Sequence, residues 1–289
     1  MKSAPTKSVL LIAGPTASGK SALAMQLAEA ENGVIINADS MQVYSGLRIL
    51  TARPTAEDEA CVPHRLYGHR APEQEYSTGL WQKEAIAAVE VALEQGKLPI
   101  LCGGTGLYFM SLLTGLAEVP EIAPEVRAKW RSFAGDLQSE LAKRDMISAA
   151  KLNPADRQRL IRALEVVEST GTTLPDWQAK AAEAAPLKYF NIRRLFKTLP
   201  REELYARADA RFDRMLEQGA LDELRTLPKL HQDQPLMKAI GVPELSAYVN
   251  GELTLEEAKT KAQTATRHYI KRQLTWWRGQ MQGWEEVTQ

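Results

Sequence analysis

The chain has 289 residues, enough for one large domain or for one domain carrying a sizeable insertion. Its 44% hydrophobic and 25% charged residues are those of an ordinary soluble globular protein. Acids and bases are equal in number (36 each), so the molecule as a whole has no attraction for nucleic acid, and any such attraction must come from local clusters.

The first apolar run, Ser8 to Ala13, reads as a short buried strand, and the Ala- and Leu-rich stretch Lys20–Ala30 as the helix after it. Gly33–Asn37 is a second apolar strand. Trp81–Glu94 carries Ile86, Val89 and Leu93 on one helical face, and Leu98–Cys102 is a third strand closed by Gly103 and Gly104. Continuous apolar strands separated by helices predict an α/β fold, a parallel sheet covered on both faces, with the site at the strand C-termini. From about Leu116 to Ala185 strand signals cease. Helices are expected over Pro124–Leu141, Ser148–Leu152 and Ala155–Thr170, so this stretch reads as a helical insertion domain. Leu187–Leu195 alternates like a strand returning to the sheet, and Arg201 to Gln282 is helical again. The expected organisation is a first part of the core over 1–115, the insertion over 116–186, and a second part over 187–289 with basic C-terminal helices.

Cys61 and Cys102 have no CxxC or Cys/His spacing and read as two reduced core thiols. The four histidines, His64, His69, His231 and His268, show no metal-ligand spacing. No run approaches the ~20 apolar residues that cross a bilayer, and no signal-peptide pattern precedes the first strand, so a cytoplasmic protein is expected.

Gly14, Pro15, Thr16, Ala17, Ser18, Gly19, Lys20 and Ser21 spell G-x-x-x-x-G-K-S between a strand and a helix. Backbone N–H groups from Thr16 to Ser21 and the helix N-terminus would cradle phosphate. Lys20 would bridge phosphate oxygens, and the Ser21 hydroxyl would ligate Mg²⁺. A chance Gly-rich turn fits that context less well. Asp39 follows the second strand and could be a Mg²⁺ ligand, a helix N-cap or a general base. Ser40, Met41 and Gln42 follow it as groups able to orient a substrate. Gly103-Gly-Thr-Gly-Leu-Tyr108 marks a third strand end, where Thr105 either faces the site or caps the next helix.

Seven blocks in this order resemble the bacterial tRNA dimethylallyltransferase family, and the resemblance covers nearly the whole chain. They are the phosphate loop, Asp39–Tyr44, Thr51–Pro54, Pro63–Leu66, Gly103–Tyr108, Asp156–Val166 and Arg267–Trp276. The resemblance implies a P-loop NTPase-like core and transfer of a dimethylallyl group from dimethylallyl diphosphate, with Mg²⁺, to N6 of the adenosine beside the anticodon in tRNAs that read U-initial codons. It implies catalysis by Asp39, Thr105, Lys20 and Arg211, with Arg211 holding the diphosphate; a surface salt bridge to Asp213 or Glu217 is the alternative for that arginine. The tRNA anticodon stem-loop would meet Asp39, Ser40, Met41, Gln42, Thr105, Arg127, Gln158, Arg159, Leu160, Ile161, Arg162, Arg267, Lys271 and Arg272. No protein partner is implied, and a monomer is expected. Leu50, Arg53, Arg157 and Gly241-Val-Pro-Glu244 depart from the family pattern.

The residues allow this chemistry. An exocyclic adenine amine needs a base as its C–N bond forms, and departing diphosphate needs cations. Lys259 to Arg278 holds Lys259, Lys261, Arg267, Lys271, Arg272 and Arg278 with no acid, and Arg157, Arg159 and Arg162 cluster on one expected helix. RNA contact competes here with a merely solvated face. Trp276 and Trp277 could stack on a base, although core packing is the simpler reading. The alternatives are an adenylate isopentenyltransferase acting on free nucleotide and a small-molecule P-loop kinase. The first should lack a basic insertion, and the second needs an arginine lid that is not evident.

Overall fold

The computed structural model describes residues 7–227, 234–280 and 282–288, so His231 lies outside the described residues. In chain order the elements begin with β1 (Ser8–Ala13), α1 (Lys20–Ala30), β2 (Gly33–Asn37), α2 (Ala56–Cys61), β3 (His64–Arg65), α3 (Thr78–Glu94), β4 (Leu98–Gly103) and α4 (Gly106–Thr114). There follow α5 (Pro124–Ser132), α6 (Leu137–Ala142), α7 (Met146–Lys151), α8 (Arg157–Thr170), α9 (Leu174–Glu183) and β5 (Asn191–Lys197). The chain closes with α10 (Arg201–Glu217), α11 (Ala220–Arg225), a 3-10 turn (Pro235–Lys238), α12 (Val242–Val249), α13 (Leu255–Gln280) and β6 (Glu285–Val287). It divides into two compact units, residues 1–109 with 189–289, and residues 110–188.

In the first unit the described strands form one six-stranded sheet of order β3-β2-β4-β1-β5-β6, with every pairing parallel. The apolar runs of β1, β2 and β4 are its buried centre, as their composition requires. Leu10, Ile12, Ile35 and Ile100 pack with Ala24 and Ala28 of α1 on one face. On the other, α3 buries Trp81, Ala85, Val89 and Ala92, so Ile86 and Leu93 do not define its inner face. The indole of Trp81 sets that orientation: its N–H donates to Asn37 O at 2.8 Å, and its ring stacks on Tyr108 at 4.0 Å. The edge strands β3 and β6, of two and three residues, carry no apolar run and left no signal in the sequence. The returning strand begins at Asn191, where pairing with Ser8 begins, rather than at Leu187. Helices α10 to α13 gather around Leu47, Phe212, Leu236, Val242, Leu245, Ala258 and Ala262.

The second unit is helical and packs Trp130, Leu137, Leu141, Leu160 and Leu164 together. The single helix expected over Pro124–Leu141 is two. Helix α5 ends at Ser132, the chain turns through Phe133–Gly135, and Asp136 caps α6 by accepting from the N–H groups of Gln138 and Ser139. Helix α9 was not expected.

The two thiols differ. Cys102 is buried in β4, and burial pushes its thiol up to about 12. Cys61 is exposed at the end of α2, so it is not a core thiol.

Candidate functional site

At the end of β1 the chain passes so close to β5 that a Cβ on Gly14 would stand 2.2 Å from Lys197 O; only glycine fits there. Left-handed Ala17 and Gly19 (φ 64° and 86°) then turn the loop so that α1 starts at Lys20. The Lys20 ammonium donates to Pro15 O at 3.3 Å. Burial lowers its pKa, and the Asp39 carboxylate pulls it partly back.

The loop amides do not all stand free for a ligand. Ser18 N–H donates to Pro15 O (3.3 Å), and Thr16 N–H donates to the side-chain oxygen of Gln273, 257 positions away, at 2.9 Å. The amide nitrogen of Gln273, a buried residue of α13, donates in turn to Gly104 O at 3.1 Å. One side chain therefore fastens the phosphate loop to the glycine loop after β4. Nothing in local spacing announced this, because both bonds are long-range.

Arg211 projects from α10 and donates to the Thr16 hydroxyl at 2.7 Å. Burial lowers its pKa while the Asp39 charge opposes the shift. The surface pair with Asp213 or Glu217 is not formed; Asp213 pairs instead with Lys259 at 3.0 Å.

The Asp39 carboxylate accepts from Met41 N–H at 2.9 Å, and Asp39 N–H donates to the Asn37 side chain at 2.8 Å. No helix begins at 40–44, which removes the N-cap reading. The Thr105 hydroxyl accepts from Ser40 N–H at 3.0 Å, and Thr105 N–H donates to Ala38 O at 3.2 Å. The strand ends β2 and β4 are thus tied together beside Asp39. Gln42 serves the rim, its amide nitrogen donating to Thr51 O (2.8 Å) and Ala52 O (2.9 Å), so that nitrogen is not available to RNA. Glu223 of α11, also missed in the sequence, accepts from the N–H groups of Arg48, Ile49 and Leu50 and holds the same rim.

Two clefts meet at Arg211. One, about 400 Å³, is walled by Ala17, Gly19, Lys20, Ser21, Arg207, Arg211 and Arg214: four cations and no carboxylate. The other, about 340 Å³, is of mixed lining, with Thr16, Asp39, Ser40, Thr51, Tyr269 and Arg272 among its polar residues and Met41, Leu50, Phe212 and Met215 among its apolar ones. Burial, then the Asp39 charge, raises the pKa of Tyr269, so its phenol stays neutral. Among the described residues no three His, Cys, Asp or Glu side chains gather as metal ligands. The donor set at the cationic cleft, a single Ser21 hydroxyl, fits a hard cation that takes its remaining oxygens from phosphate and water.

The expected RNA contacts divide. Over Lys259–Arg278 of α13, acid-free in sequence, α10 supplies the acids: Arg267 pairs with Asp209 at 2.7 Å and Lys259 with Asp213. Lys271 and Arg272 are exposed and have no ion pair among the described residues. In the helical unit Arg127 and Gln158 are exposed, whereas Arg159 pairs with Asp156 (3.3 Å) and Arg162 with Glu165 (3.7 Å). Leu160 is 1% exposed and Ile161 packs against the same core, so Leu160 offers RNA no side chain. Arg157 donates to the carbonyls of Arg131 and Phe133. At the departing segment Gly241–Glu244, Val242 is buried and the Glu244 carboxylate accepts from Gly241 N–H to start α12. The tryptophan pair also splits: Trp277 is core, and Trp276 is half-buried.

The chain is similar to known proteins along nearly its whole length. Residues 42–280 match the family described as IPP transferase. The tRNA dimethylallyltransferase of Rhodopseudomonas palustris is 53% identical over 96% of this chain and 90% of its own. That of Nitrobacter hamburgensis is 52% identical over 94% and 88%. Among solved structures, the tRNA isopentenylpyrophosphate transferase of Bacillus halodurans superposes with a TM-score of 0.70 at 34% identity, covering 98% of this chain and 90% of its own. A eukaryotic dimethylallyltransferase described as acting on tRNA superposes with a TM-score of 0.81 at 29% identity, covering 94% and 70%. A family match over residues 42–280, together with relatives about half identical over nearly the whole chain, shows that the chain belongs to the IPP transferase family of prenyltransferases.

Proposed function

We propose that this chain transfers the dimethylallyl group of dimethylallyl diphosphate to N6 of adenosine 37, beside the anticodon, in tRNAs that read U-initial codons, in the cytoplasm. The observation that carries this reading is the single arginine shared by two unlike clefts. The cationic cleft suits a diphosphate, and the mixed one suits a base and a C5 chain. Leu50, Phe212 and Met215 would wall the prenyl group, a slot for which the sequence alone offers no walls.

In the reaction the N6 lone pair forms a bond to C1 of the allyl group as the C1–O bond breaks, and that electron pair leaves with diphosphate. Asp39 accepts the N6 proton. Lys20 and Arg211 meet the charge that grows on the leaving oxygen, in a buried setting where fixed charges act strongly. Thr105, bonded to Ser40, keeps the Asp39 loop in register with the glycine loop. Mg²⁺, when bound with the diphosphate, supplies further neutralisation of the leaving group, and Ser21 is the side chain placed to hold it.

The test is transfer of label from dimethylallyl diphosphate to an anticodon stem-loop containing A36-A37-A38, with AMP as competing acceptor. Labelled RNA is expected. Labelled AMP alone would support the adenylate enzyme, and phosphate transfer from ATP without prenylation would support the kinase.

A further inference from the structure

Beyond the mixed cleft, two more depressions continue along the same face of α13. Tyr269 and Arg272, which line the mixed cleft, also line a second one of about 250 Å³ together with Gly104, Thr105, Leu107 and Trp276. Arg272 and Trp276 then line a third, about 470 Å³, with His268, Lys271 and Thr275. The three clefts are consecutive, each sharing residues with the next, and Asp39 lines the first of them alone.

Their chemistry is that of a strand path. Trp276 is half-buried, with its six-membered ring laid against Gly106 so closely that a Cβ there would stand 2.1 Å from it. Its inner neighbour Trp277 meets it edge-on at 4.8 Å. The glycine and Trp277 brace the indole, while the rest of it borders both outer clefts. Beside it the Arg272 guanidinium lies over the Tyr269 ring, 5.7 Å from the centroid, an arrangement that leaves N–H groups for an anion. Lys271 and Arg272 lack the ion pairs that neutralise Lys259 and Arg267 on the same helix. Leu107, 54% exposed, adds apolar surface at the rim. A braced aromatic ring beside unneutralised cations is how single-stranded nucleic acid is held: a base stacks on the ring and phosphates meet the cations.

We propose that Trp276 is a stacking seat for the nucleobase adjoining the target adenosine in the same RNA strand, with Lys271 and Arg272 holding the phosphates on that side. The seat rests on the RNA prenyltransfer reading above. It lets the enzyme demand a strand rather than a free nucleotide, because a lone adenosine fills only the first cleft.

The test compares wild type, Trp276→Phe and Trp276→Ala on the anticodon stem-loop and on two versions with an abasic residue at position 36 or 38. With wild type one abasic RNA should lose about 10-fold in kcat/KM, within the range of base–aromatic stacking. That penalty should vanish in Trp276→Ala and largely persist in Trp276→Phe. An equal penalty in Trp276→Ala, or no penalty at either position with wild type, overturns the seat. Should Trp276→Ala fail to fold, Trp276→Leu, which keeps bulk over Gly106, takes its place. A second readout needs no chemistry: 2-aminopurine at position 36 or 38 should be quenched on binding wild type and not on binding the variant. Quenching that is absent, or identical in both proteins, overturns the seat even if prenylation succeeds. Quenching without prenylation would instead keep the seat and refute the activity.

Discussion

At the scale of single residues, the site balances one carboxylate against buried cations, and each makes its own demand. On the proposed role of Asp39 as base, its replacement by Ala should lower kcat by ~10²–10⁴ while leaving diphosphate affinity nearly unchanged. Steady-state kinetics with a direct diphosphate binding assay separates this from a role in holding metal, in which both would fall together. Lys20 makes the opposite demand. Its folded pKa lies below the ordinary lysine value because burial disfavours the charge. Between that lowered pKa and ~10.5 the unfolded chain binds more protons than the folded one, so the stability of the ligand-free protein rises with pH across that window. Below it the charged lysine is a standing cost. Lys20→Met should therefore raise the Tm of the ligand-free protein, flatten its rise with pH, and weaken diphosphate binding at least 10-fold. A fall in Tm would show that the ammonium's bond to Pro15 outweighs its desolvation. Lys20 and Asp39 were legible because their chemistry is carried by a motif and a strand end. Arg211 came only through the family resemblance, since by its residues alone a helical arginine with acids two and six residues away reads equally well as a surface pair until α10 is docked on the phosphate loop.

At the scale of elements, α13 supplies what strand ends alone cannot. Its Gln273 receives Thr16 N–H and donates to Gly104 O, so a helix more than 150 residues downstream sets the spacing between two loops. Gln273→Met, similar in shape but unable to make either bond, should lower kcat more than 10-fold and raise KM for the diphosphate, with RNA affinity unchanged. Assaying well below the Tm of the variant separates misplacement from unfolding; full activity there would leave Gln273 a stability residue only. Such a tie is invisible to periodicity, as are the three amides taken up by Glu223. The parallel sheet was legible because β1, β2 and β4 are unbroken apolar runs. The break between α5 and α6 was not, because the helical pattern of Pro124–Leu141 continues across Gly135 while the Asp136 cap restarts the chain.

At the scale of the whole molecule, zero net charge conceals an uneven distribution. Acids on α10 neutralise one part of α13 and leave Lys271 and Arg272 unopposed, so affinity for RNA must depend on salt. Lys271→Ala with Arg272→Ala should reduce the slope of log K against log salt by about two, near one for each phosphate that goes unneutralised. Lys259→Ala should leave it unaltered. Filter binding of the stem-loop across a range of salt concentrations measures both, and equal slopes in all three proteins would assign the RNA surface elsewhere. The acid-free run in the sequence was a true observation about composition and an incomplete one about charge, because the acids that oppose it are brought in by tertiary structure.

Helix α13 is 26 residues long, roughly 39 Å at 1.5 Å per residue. It is packed near one end through Ala258 and Ala262, and at the other through Trp277 against Phe109, Phe196 and Trp284. Between these anchors it carries Arg267, Tyr269, Arg272, Gln273 and Trp276 in fixed angular order. Inserting one residue after Thr266 would turn everything beyond it by about 100° and drive the whole set off its targets at once. A substitution along this rod disturbs one contact at a time, whereas a change in its length disturbs them all, so a single insertion here should cost more than any one replacement.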